Sequence, residues 1–243
     1  MENRLAARNG GRVGLAALVA ILLLGLGLRV VEAWDGRPPV FDAAAYAAIA
    51  GNLESGEGFT VGPGATQPSS NYSPGLPLFV AGLYELTGGE HERFARLVLA
   101  LIGSLSVLFT YLLARHLGSI QRTLKNGPYR GPNSANAELW GALAGALVVA
   151  VYPALLEYQG MLMSEPLAAT LLSGGVLALL WAWEGDWRRW LLPGALFGAL
   201  AIVRPEYLGV AALVAAVIFA REARDDWRPS LLRAAVFLGA LLI

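Results

Sequence analysis

The stretch Val13–Val31 contains one charged residue, Arg29, and is otherwise apolar or glycine. A run near ~20 residues is what an α-helix needs to cross a ~30 Å hydrocarbon core. Three further runs approach that length: Leu97–Ala114, Leu139–Leu156 and Pro166–Trp183. Three shorter ones follow at Trp190–Val203, Tyr207–Ala220 and Leu231–Ile243. In lipid every backbone N–H and C=O must be satisfied within the chain, so such runs dictate helices. The expected fold is therefore all-α, a polytopic membrane protein with about seven transmembrane helices.

Composition agrees. The chain is 56% apolar and 15% charged, against about 25% charged in soluble domains. Its 18 Lys and Arg balance 18 Asp and Glu, which argues against a basic nucleic-acid binder. Cysteine is absent, so disulfide frameworks, thiolate nucleophiles and cysteine zinc sites are excluded. The first run exceeds the apolar region of a signal peptide, and Val30-Val31-Glu32-Ala33-Trp34 is a poor cleavage site, so it reads as a retained anchor. The last run stops among apolar residues, which reads as the front part of a longer protein.

Positive charge sets orientation. Basic residues gather in four segments: Arg4, Arg8 and Arg12; Arg115, Arg122, Lys125 and Arg130; Arg188 and Arg189; Arg221, Arg224, Arg228 and Arg233. Placing all four in the cytoplasm closes a topology of seven crossings with a cytoplasmic N-terminus. It requires Trp190–Ala220 to be a hairpin of two short helices joined by Arg204-Pro205-Glu206. Pro205 supports a boundary there, because the residue before a proline is pushed out of the helical region.

On this reading residues 1–243 form one transmembrane module, and residues 32–96 form its first extracytoplasmic loop. That loop holds Glu32, Asp35, Asp42, Glu54, Glu57, Glu85, Glu90 and Glu92. Asp42–Leu53 predicts a short amphipathic helix with Tyr46, Ile49, Ala50 and Leu53 on one stripe. Leu76–Gly88 is too short to span comfortably and reads as an interfacial or re-entrant helix. Gly141-xxx-Gly145 and Gly194-xxx-Gly198 are small-xxx-small pairs, weak signals of close helix packing.

Several side chains are candidates for chemistry. Asp42 opens the loop helix, where an aspartate serves as an N-cap or as a surface carboxylate able to take a proton. Glu165 opens the fourth span before Pro166, a favourable place for an acid, and is a candidate second acid on the same face; Glu157 is its rival. Arg204 lies between two apolar runs, where a charge is costly and by default functional. Its guanidinium suits phosphate, or it pairs with Glu206. Arg93 and Arg96 are expected to pair with Glu90 and Glu92, or to meet lipid phosphate. Arg29 snorkels or pairs with Glu32. His91 and His116 lack ligand spacing and are expected in solvent. Nucleotide-binding loops, HExxH and GxSxG are absent.

In order and spacing, these pieces resemble a known family. Phe41-Asp42 with Tyr46 follows the first span, then Asn71-Tyr72-Ser73-Pro74-Gly75-Leu76-Pro77-Leu78-Phe79, then Phe94-Ala95-Arg96-Leu97. Tyr152-Pro153, Met163-Ser164-Glu165-Pro166-Leu167 and Gly198-Ala-Leu-Ala-Ile-Val-Arg204-Pro205-Glu206 come later. Together they resemble the membrane-embedded GT-C glycosyltransferases, in particular the protein-mannosyltransferase and aminoarabinose-transferase-like group, over nearly the whole chain. The resemblance implies a polyprenyl-phosphate-linked sugar donor and transfer on the extracytoplasmic face. It implies Asp42 as catalytic base, Glu165 as second acid and Arg204 on the lipid phosphate. Tyr46, Tyr72 and Arg96, in the matching segments, are the further substrate-binding candidates. One displacement at the anomeric carbon would invert configuration, with Asp42 taking the acceptor hydroxyl's proton and Arg204 stabilising the departing phosphate. A divalent metal shared by Asp42 and Glu165 stays open.

Two rivals use the same features. A transporter or flippase would place its site at the broken runs around Arg204. A non-catalytic lipid-binding subunit would need the bilayer and no turnover.

Overall fold

The computed structural model describes residues 2–62, 68–126, 132–222 and 227–242, the side chains of 2–10, 122–126, 132–135 and 222 excepted. Among the described residues there are ten α-helices, one 3-10 turn and no strand. The helices are α1 (Glu2–Asp35), α2 (Asp42–Glu54), α3 (Gly75–Thr87), α4 (Glu92–Asn126), α5 (Pro132–Ala150), α6 (Pro153–Gln159), α7 (Glu165–Trp183), α8 (Leu191–Val203), α9 (Tyr207–Glu222) and α10 (Trp227–Leu241).

Among the described residues three stretches are long and apolar enough to cross a membrane: Gly11–Asp35, Glu92–Gln121 and Glu165–Trp183. Asn136–Ala150 and Pro153–Gln159, bent by 43°, make a fourth if taken as one span. By length and composition the count is thus three or four, where the sequence led us to expect about seven. The difference lies in α8, α9 and α10, with 13, 16 and 15 residues. At ~1.5 Å per residue they rise only about 20–24 Å.

The bend between α5 and α6 has a local cause. Pro153 carries no N–H, so the Val149 carbonyl loses its intrahelical donor. Arg29 supplies the replacement. Its Nη2 donates to the Val149 carbonyl at 3.0 Å and its Nη1 to that of Ala150 at 3.1 Å. The side chain is 1% exposed. Arg29 therefore neither snorkels nor pairs with Glu32; it completes the end of α5 from α1.

Of the two small-residue pairs, one makes a close contact. A Cβ on Gly194 or Gly198 would run into the backbone of α10 at Phe237 and Leu241. A Cβ on Gly141 would meet nothing within 4 Å among the described residues, and one on Gly145 only the Thr110 methyl at 3.7 Å. The main core joins α2, α3, α4, α7, α8, α9 and α10, with Tyr46, Leu76, Val80, Tyr84, Leu99, Phe197 and Phe237 among its buried members. The two loop helices are thus packed onto the bundle. Their stripe is as expected on Tyr46, Ile49 and Ala50, which are buried, while Leu53 is half-buried.

Candidate active site

The site begins at a tight turn. The Ala43 N–H donates to the Val40 carbonyl at 3.1 Å, and Phe41 adopts φ 51°, ψ −125°. Those angles are the first central position of a type II′ turn, a glycine position. A bulky residue at positive φ is a genuine outlier. Its consequence is to start α2 abruptly, with Phe41 rather than Asp42 as the N-cap and no side-chain capping bond. Asp42 is instead an exposed acid in the first helical turn, so the capping role is not the one it plays.

One turn on, Tyr46 faces inward and is buried. The Tyr72 ring meets it edge-on, with centroids 5.8 Å apart and planes at 76°. Burial first, then the nearby negative charges of Asp42 and Glu165, push the Tyr46 phenol above its ordinary pKa; a hydrogen bond with the Ser164 side chain and the Arg204 cation pull the other way. Four chain segments therefore contribute to one small region: the start of α2, the Tyr72 loop, the start of α7 and the α8–α9 turn.

Arg204 arrives there because α8 ends at Val203. Pro205 follows, and Arg204 is extended (φ −146°, ψ 98°), as a residue before proline should be. The helix break expected at this point is present. Its Nη1 stands 3.1 Å from Glu165 Oε1, and its Nε donates to Glu206 Oε1 at 2.7 Å. Glu206 is held below the usual carboxylate range by its own backbone N–H and by Arg204. Glu165 Oε2 is buried and accepts no hydrogen bond among the described residues. The backbone carrying Arg204 is braced by α3: a Cβ on Gly75 would stand 2.6 Å from the Val203 nitrogen.

The other candidates lie elsewhere. Arg96 donates from Nε to the Ala33 carbonyl at 3.1 Å and pairs with Glu92 at 3.0 Å. It ties the end of α1 to α4. Arg93 lies over the Trp34 ring at 5.0 Å rather than on an acid. Glu157 pairs with Arg37 at 3.0 Å. His91 is exposed, but His116 is half-buried and faces a groove between α4 and α7, contrary to the expectation of solvent. Among the described residues no three His, Cys, Asp or Glu gather as a metal site.

Two participants lie outside the candidate list read from the sequence. Ser164 sits beside Glu165, and its adjacency was the available signal. The strain at Phe41 had none, since Val40-Phe41-Asp42-Ala43 contains no glycine.

In chemical terms the region offers an exposed carboxylate, a buried neutral phenol and a guanidinium shared by two acids. Such a set can take a proton, orient a polar group and bind an oxyanion. No known protein family, curated protein or solved structure matches the chain.

Proposed function

We propose that the chain is a GT-C-type glycosyltransferase module of a bacterial or archaeal cytoplasmic membrane. It moves a hexosyl or pentosyl group from a polyprenyl-phosphate-linked donor to an acceptor hydroxyl on the extracytoplasmic face, with inversion. The observation that carries this reading is the Arg204–Glu165 pair at 3.1 Å beside Tyr46, which stands one helical turn after Asp42. Asp42 takes the acceptor proton, and its exposure suits access by an acceptor from water. Arg204 receives the phosphate, exchanging its exposed partner Glu206 while Glu165 stays. Tyr46 and Tyr72 line the same space. In this reading α8, α9 and α10 are short crossings that tilt or thin the bilayer, giving seven in all.

The deciding experiment uses the protein in proteoliposomes with a polyprenyl-phosphate-linked sugar. Asp42→Asn abolishes transfer while insertion is retained, and Arg204→Ala raises the donor concentration needed. Near-normal turnover in Asp42→Asn removes the base from this scheme. The topology has its own check. The chain has no cysteine, so Asn71→Cys introduces a single thiol that an impermeant reagent labels from outside; labelling only after lysis reverses the orientation.

A further inference from the structure

A groove of about 740 Å³ opens between α4, α7 and α8, and none of the residues gathered around Tyr46 lines it. Along α7 its wall runs from Thr170 to Glu184, about 21 Å at 1.5 Å per residue, roughly two-thirds of the hydrocarbon thickness. Its sides are aliphatic and aromatic. At the Thr170 end the hydroxyl is already committed to the Ile102 and Pro166 carbonyls at 3.1 and 2.9 Å. The polar groups left for a ligand are therefore at the other end.

There Glu184 and Arg189 carry opposite charges, and His116 of α4 also lines the groove. Glu184 lines the groove and sits at the C-cap of α7, where the helix dipole disfavours an anion. No carboxylate partner cation is found for it among the described residues. Arg189 lies 4.6 Å from the centre of the Trp181 ring, and Trp181 also lines the groove. A tryptophan at this level is what a membrane–water boundary favours.

We propose that this groove holds an acyl chain of a phospholipid whose head carries both a phosphate and a primary ammonium, the phosphate at Arg189 and the ammonium at Glu184. Charge argues against a purely anionic lipid, whose head would add negative charge beside Glu184. A polyprenyl phosphate held at Arg204 would bring its head to the wrong end. The inference does not depend on the transferase reading.

The test is native mass spectrometry of the purified chain after exchange into equal amounts of phosphatidylethanolamine, phosphatidylglycerol and phosphatidylcholine. The expected result is one retained phosphatidylethanolamine per chain. Glu184→Gln is an exposed change that leaves packing intact, and it lowers the preference for phosphatidylethanolamine over phosphatidylglycerol roughly tenfold, the size of one lost charge-assisted hydrogen bond. Arg189→Gln weakens all phospholipids, and Leu177→Trp, which fills the groove, removes retention while the thermal melt shows a folded protein. Equal retention of the three lipids, an unchanged preference in Glu184→Gln, or a dimer in place of bound lipid overturns the proposal.

Discussion

Arg204 and Glu165, brought together from opposite ends of the α7–α8 hairpin, meet at 3.1 Å with side chains 33% and 26% exposed. That exposure puts the pair between two regimes. Exposed pairs are worth about 0.2–1 kcal/mol, and breaking a fully buried one costs about 3–5 kcal/mol. A double-mutant cycle with Glu165→Gln and Arg204→Gln, read by unfolding in detergent, is expected to give a coupling of about 1–2 kcal/mol. A coupling of zero would mean that the two groups are adjacent without holding each other, and that Glu165 does not position the guanidinium.

The brace behind Arg204 gives a sharper contrast. A Cβ at Gly75 would meet the Val203 nitrogen at 2.6 Å and its Cα at 2.7 Å. Both are backbone atoms and cannot swing aside, so Gly75→Ala is expected to cost about 1–3 kcal/mol through overpacking and to displace Arg204. A Cβ at Gly82, in the same helix, would meet nothing within 4 Å among the described residues. Gly82→Ala should therefore stabilise by about 0.5–1 kcal/mol, the ordinary helical gain. Thermal unfolding of the two variants side by side checks both signs; equal effects would show that α3 does not bear on Val203.

These two residues illustrate what the sequence makes legible and what it hides. The break at Arg204 is readable because Pro205 acts on its immediate neighbour. The start of α2 and its inward stripe are readable because a helix repeats locally. The length of α4 is not: hydropathy marks Leu97–Ala114, yet the helix runs from Glu92 to Asn126, since helical hydrogen bonds continue past the apolar slab. Arg29 is opaque for another reason. Its partners are carbonyls of Val149 and Ala150, which carry no side-chain signature. Likewise the meeting of Glu165 with Arg204 depends on how the helices pack, which periodicity alone does not specify.

Tyr46 yields a pH prediction outside the membrane spans. Burial, reinforced by Asp42 and Glu165, raises its phenol pKa above the ordinary value. A tyrosine in the unfolded chain ionises near pH ~10. The stability linked to this group is therefore fully present below about pH 10 and is lost as pH rises through the higher folded value. Wild type should lose stability relative to Tyr46→Phe above about pH 10, and the ultraviolet difference between them should show no phenolate at that pH. Ionisation of Tyr46 at or below its ordinary pKa would show that the phenol is not buried beside Asp42 and Glu165.

Phe41 offers the last prediction, because its side chain and its backbone make opposite demands. The ring is 91% exposed, so removing it sacrifices almost no packing. The backbone, at φ 51° and ψ −125°, costs about 1–3 kcal/mol for any residue with a Cβ. Phe41→Ala keeps that cost and should be close to neutral. Phe41→Gly removes it, against an entropic penalty of about 0.5–1 kcal/mol, and should be the more stable of the two by about 1 kcal/mol. The ordinary N-cap preference for glycine over alanine acts in the same direction. Unfolding both variants in detergent decides it. If alanine proves as stable as glycine, the turn that delivers Asp42 is relaxed, and the aspartate is presented without strain.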